Sequence, residues 1–155
     1  GARRLASALP AVVDDPDDVE ARTDALAGAA LAGRCLQNSS MGVHHGLAQL
    51  VGGRTGIAHG LANAVILPHA MRFNADVAPD EMMMIGEALG DPDDAPGAVA
   101  RLVERLGLPT RLRDCDVDEE DLDAVARMSQ ASHAVQANLR PVGEGDARAI
   151  LADAY

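Results

Sequence analysis

A chain of 155 residues is about one domain's worth of protein. Its 24 acidic residues outweigh 13 basic ones, for a formal net charge of −11, so it offers no cationic face for nucleic-acid phosphates or anionic membranes. The apolar share is carried by Ala, Leu and Val, with Phe73 and Tyr155 as the only aromatics. That balance favours helix over strand, and residues 1–155 are expected to form a single all-α domain of six to eight helices.

The chain opens at Gly1 and runs directly into Ala2-Arg3-Arg4-Leu5-Ala6, which reads as mid-helix and suggests a truncated start. That helix is expected to stop near Pro10. Asp15 before Pro16 fits an N-cap with proline at the first helical position, and helix is expected from about 17 to 39. Its Leu26, Ala29, Ala30 and Gly33 form a small-residue face suited to close helix packing. A helix from about 43 to 51 should end at Gly52-Gly53. Another should run from His59 to Asn74, interrupted at Pro68. Pro79 opens the next, with Met82, Ile85 and Leu89 on one side; the Met82-Met83-Met84 run is expected to be core. Asp93 or Asp94 caps a helix in which Val99, Leu102, Val103 and Leu106 follow helical spacing. Asp118 opens a helix to about Gln130, His133 falls in a loop, and a last helix spans about 144 to 154.

Cys35 and Cys115 stand 80 residues apart with no zinc-type spacing; two isolated buried thiols are expected. No apolar run reaches spanning length and no leader pattern opens the chain, so a cytoplasmic protein is the expectation. The acidic stretches Asp91–Asp94 and Asp114–Asp121 lack the ligand spacing of a calcium loop.

Chemistry concentrates in the histidines. His44, His45, His59 and His69 lie within 26 residues, and neutral imidazole is a common metal ligand. In one straight helix His45 and His59 would stand about 21 Å apart, too far to share an ion. The glycines at 52, 53 and 56 allow a bend that brings His59 back towards His45. The alternative is a hydrogen-bonded histidine pair at a tight turn. His44 diverges from His45 by about 100° on a helix, whereas Gln49 lies one turn from His45 on the same face.

The block Gly42-Val43-His44-His45-Gly46-Leu47-Ala48-Gln49-Leu50-Val51-Gly52-Gly53, followed by His59-Gly60-Leu61-Ala62-Asn63-Ala64-Val65-Ile66-Leu67-Pro68-His69 and Phe73-Asn74, resembles the C-terminal helical domain of the iron-containing (group III) alcohol dehydrogenases. The doubled His44-His45 and Asn138-Leu139-Arg140-Pro141 look most like the maleylacetate reductase branch. The resemblance implies a metal, Fe²⁺ or Zn²⁺, bound by one Asp and three His, of which His45 and His59 match two. It places NAD(P) on an N-terminal nucleotide-binding half absent from this chain. It implies a small carbonyl or alcohol substrate, an oxidoreductase activity and a homo-oligomer. His44 and Gln49 are expected to line the substrate side. Many members carry a third His, thought to assist proton transfer, where this chain has Gln49, which cannot titrate near neutrality. In the reductase branch the usual metal is not universal, which leaves His44-His45 available to the substrate. The isolated chain, lacking half the ligands and the hydride donor, is expected to be inactive. The competing expectation is a stand-alone helical module used for binding or oligomerisation.

Overall fold

Helices and turns build the whole molecule in the computed structural model, which describes residues 1–155. In chain order the helices are α1 (Ala2–Asp14), α2 (Val19–Leu36), α3 (Val43–Thr55), α4 (His59–Asn74), α5 (Pro79–Leu89), α6 (Ala95–Arg105), α7 (Glu119–Ser129), α8 (His133–Gln136) and α9 (Glu144–Asp153), with 3₁₀ turns at Ala75–Val77 and Leu112–Cys115. This is one helix more than the six to eight expected, and the extra one is the four-residue α8. No helix is long and apolar enough to cross a membrane.

The principal core is aliphatic. Leu47 and Val51 of α3, Ile66 of α4, Leu122 of α7 and Leu151 of α9 are fully enclosed. Ala48, Ala62, Ala126 and Ala147 are buried among them, and with so little side chain between them the helix backbones come close. A second, smaller cluster joins Met71 of α4 to Ala95, Val99 and Val103 of α6, with Met82, Ile85 and Leu89 of α5 packed on it. The α1–α2 hairpin attaches through α1, which packs on α5 and α6.

Several boundaries depart from the sequence reading. Pro10 does not stop α1, which continues to Asp14 and ends with the Asp15 N–H donating to Ala11 O at 2.9 Å. Proline removes one backbone donor and crowds the carbonyl one turn back; packing along α2, α5 and α6 carries the helix past it. Asp15 caps no helix. Its carboxylate accepts from the Asp17 N–H at 3.1 Å, a local turn that competes with helix. Asp18 caps α2 instead, accepting from the Ala21 N–H at 3.0 Å.

The small-residue face of α2 is also out of phase. Leu26 is 72% exposed, and Ala29, Ala30 and Gly33 are exposed beside it. The packed face is Ala21 and Gly28, the latter against Leu5. Cys35 lies in this exposed last turn of α2, and Cys115 is half-buried, so neither is the buried thiol expected.

Gly52-Gly53 does not end α3. Each glycine costs up to about 1 kcal/mol in a helix, but buried Leu47, Ala48 and Val51 hold the element together, and it runs to Thr55. The break comes at Gly56, with φ of 79°, a left-handed conformation that side chains with a Cβ rarely adopt. The methionine run divides: Met82 packs on the second cluster while Met83 and Met84 are exposed. Asp94 caps α6 as expected, accepting from the Gly97 N–H at 2.9 Å. His133 opens α8 rather than lying in a loop, because Ser132 Oγ caps the turn by accepting from Val135 N–H; a single turn is too short to show periodicity.

Candidate metal centre

His45 stands in the first turn of α3 and His59 is the first residue of α4. The left-handed Gly56 and the short Ile57-Ala58 link return the chain so that α4 packs across α3. The two imidazoles then meet edge to face, with centroids 4.9 Å apart and planes at 81°. Two rings each placing a nitrogen about 2.1 Å from one ion, at ligand angles between about 90° and 110°, would have centroids about 5 Å apart. The pair has a centroid separation compatible with such an arrangement. It is a pair only: nowhere does the chain gather three or more His, Cys, Asp or Glu side chains that could hold a metal. His45 is half-buried and His59 exposed, so the pair faces outward.

Electrostatics favour the neutral form of His45 and His44. Burial, and then the positive charge that His59 carries when protonated, hold His45 below the usual imidazole range. His44 is also held low, first by burial. Its hydrogen bond with Asn63 opposes that, and the charges of His45 and His59 reinforce it. Neutral imidazole is the ligand form.

The neighbouring site residues separate in role. His44 Nε2 lies 3.0 Å from Asn63 O; a carbonyl only accepts, so Nε2 carries the hydrogen. That bond ties α3 to α4. His44 also lines a cleft of about 450 Å³ with Ser39, Gly42, Asn74, Asn138 and Leu139. Gln49 is exposed one turn beyond His45. His133 sits apart on α8. The acidic stretches are occupied with structural bonds: Asp91 pairs with Arg101, Asp94 caps α6, and Asp121 accepts from Arg54 Nε at 2.5 Å. Sequence reasoning assigned no part to Asn63, Asn74 or Asn138. All three fall in the quoted blocks that carry the family resemblance, which gave a likeness and no mechanism.

His69 lines a separate cavity of about 240 Å³ with Pro68, Arg72 and Thr110. Burial first, then Arg72, hold it below its ordinary value of 6.5, against an opposing pull from Asp153. A histidine with a depressed pKa binds its proton more weakly folded than unfolded. Its stabilising contribution is therefore complete above pH 6.5 and is lost as pH falls through that value towards the folded one. Thermal melts between about pH 7.5 and about pH 5 should show His69→Gln losing less stability than the unsubstituted chain. Parallel losses would remove His69 from the acid response.

The pattern of the Fe-containing alcohol dehydrogenase family, C-terminal, matches residues 2–155. The chain belongs to the iron-containing alcohol dehydrogenase family. It is 37% identical over 148 residues to the maleylacetate reductase of Pseudomonas knackmussii, covering 96% of this chain and 41% of that protein. It is 37% identical over 154 residues to maleylacetate reductase 1 of Rhodococcus opacus, covering 99% and 42%. The crystal structure of maleylacetate reductase from Agrobacterium tumefaciens superposes with a TM-score of 0.91 at 32% identity, over 100% of this chain and 43% of that one. The chain thus carries the family's all-helical C-terminal fold, on the maleylacetate reductase branch, and spans about two fifths of the length of these relatives.

Proposed function

We propose that this chain is the metal-side part of an NAD(P)-dependent reductase or dehydrogenase, with His45 and His59 as two of the ligands of a divalent ion, Fe²⁺ or Zn²⁺. The observation that carries the reading is the edge-to-face approach of the two rings at 4.9 Å, made by a glycine-closed bend in a member of an iron-containing family. A bound ion would supply Lewis acidity towards a carbonyl or alkoxide oxygen during hydride transfer.

The chain's own residues would do the rest of the positioning. His44 lines a cleft at the start of α3 while its Nε2–H remains engaged with Asn63 O, so its ring would be a fixed wall for a substrate reaching that cleft. Gln49, exposed one turn beyond His45, offers an amide that can hold a substrate oxygen or a water but cannot give up a proton near neutrality. The proton that balances hydride transfer then has to enter by a route that avoids residue 49. The remaining ligands would come from an earlier helix of the helical domain and the nicotinamide from an N-terminal nucleotide-binding half, both outside these residues, and the substrate would be a small carbonyl compound of the kind that the name maleylacetate reductase denotes.

The test uses the longer protein carrying this chain. It should oxidise NADH or NADPH with maleylacetate, lose activity on chelation and regain it with added Fe²⁺ or Zn²⁺. Full activity after exhaustive chelation would remove the metal from the reading. Turnover by the 155-residue chain alone would overturn the division of labour.

One observation favours a second reading, a non-catalytic helical binding or oligomerisation module: α2 exposes several large apolar side chains, Val19, Leu26, Leu31 and Leu36. Under it, the 155-residue chain would sediment as an oligomer that Leu26→Glu dissociates. A monomer at high concentration counts against it.

A further inference from the structure

The metal-bearing helix α3 starts without a cap of its own. Its N-cap position is Gly42, which has no side chain to accept a first-turn N–H. The acceptor comes from 95 residues away: Asn138 Oδ1 takes the Val43 N–H at 3.1 Å. The same oxygen accepts from Asn74 Nδ2 at 3.1 Å. Asn138 Nδ2 donates to Asn74 Oδ1 at 2.8 Å and to Arg140 O at 3.0 Å. An amide has two donor hydrogens and two acceptor lone pairs, and here all four are used, which also fixes which way the group faces.

The partners are informative. Val43 begins α3 two residues before His45, and Asn74 ends α4, the helix that begins with His59. One side chain thus holds the start of one ligand-bearing helix against the end of the other. Its approach requires Gly42, since a Cβ there would stand 2.9 Å from Asn138 Oδ1. The loop is held in turn by Arg140, which donates to Phe73 O at 3.1 Å and lies over the Phe73 ring at 4.4 Å.

We infer that Asn138 is a positioning residue for the His45–His59 pair: by capping α3 and clasping Asn74 it sets how α3 crosses α4, and so whether the two rings meet. The inference rests on the proposed metal reading only for its consequence in binding; the ring contact itself is independent of any ion.

The experiment is NMR on the 155-residue chain, read through the nuclear Overhauser contact between the His45 and His59 rings, followed by titration with Co²⁺ alone. The contact should be present in the unsubstituted chain and lost in folded Asn138→Ala, with Co²⁺ affinity falling about fivefold, the effect of losing a helix cap. Asn138→Asp keeps an oxygen for the Val43 N–H but loses both donations, to Asn74 Oδ1 and to Arg140 O, and should restore the contact only in part. A merely structural side chain would lower stability and leave the contact unchanged in the folded molecules. The contact surviving unchanged in folded Asn138→Ala overturns the inference. If Asn138→Ala does not fold, amide exchange in the unsubstituted chain decides: the capped Val43 N–H should exchange at least about tenfold more slowly than those of His44 and His45 in the same first turn, and equal rates overturn it. Should the contact follow Asn138 while Co²⁺ binds no better than to His45→Ala, the positioning role stands and the metal reading falls.

Discussion

Gly86→Ala is expected to be the most destabilising small substitution in the chain. Gly86 is buried in α5, where the chain turns at Gly90, φ 88°, and comes back over its own helix. The Asp91 N–H donates to Gly86 O at 2.8 Å. A Cβ at 86 would meet Asp91 O at 2.3 Å and Pro92 Cα at 2.8 Å. Both contacts are backbone, so no rotamer change relieves them. The turn must open, and with it the start of α6, whose cap Asp94 follows directly. Forced overpacking of this kind costs about 3 kcal/mol or more, which for a chain of this size is a fall in Tm of about 6–12 °C. Gly53→Ala is the matched control. Nothing lies within 4 Å of its Cβ position, and a helical Gly→Ala exchange with free space should stabilise by about 0.5–1 kcal/mol. Calorimetry that finds the two variants melting together would contradict the close approach at Asp91–Pro92.

The second large effect concerns function. In the longer protein, His45→Ala or His59→Ala should lower kcat/KM by at least about 100-fold, since disturbing even the outer partners of metal ligands costs 10–100-fold. Fold stability should stay within about 1 kcal/mol of the parent, because His59 is exposed and His45 only half-buried. The two losses should not add in the double variant, as one ion would be removed by either. Metal content measured alongside should fall in step with activity. An active, metal-replete His59→Ala protein would end the assignment.

How much of this was legible in the sequence follows from the range of each signal. Helical class followed from an aliphatic, alanine-rich composition. The starts at Pro79 and after Asp94 were marked by residues that act on their own backbone. Where tertiary packing overrides local preference, the reading failed: α1 passes Pro10 and α3 passes Gly52-Gly53 because each helix is held along its length by neighbours. The face of α2 was misphased because alanines and glycines on every side leave no contrast for periodicity to detect. At the site, the spacing of His45 and His59 and the glycines between them raised the possibility of convergence; only coordinates supply the 4.9 Å. Asn138 was beyond reach, since no local pattern encodes a cap delivered from a loop 95 residues away.

The unequal setting of the two cysteines gives the molecule a single convenient handle. Cys35 is exposed in the last turn of α2. Cys115 donates to Arg111 O, and burial, with Asp114 and Asp116 alongside, raises its thiol above the usual range. Since the thiolate is the reactive species, a maleimide dye added at neutral pH marks Cys35 first. The dye then sits at the end of the same helix that exposes Leu26, Leu31 and Leu36. Its fluorescence then reports when the end of α2 carrying Leu31 and Leu36 is covered.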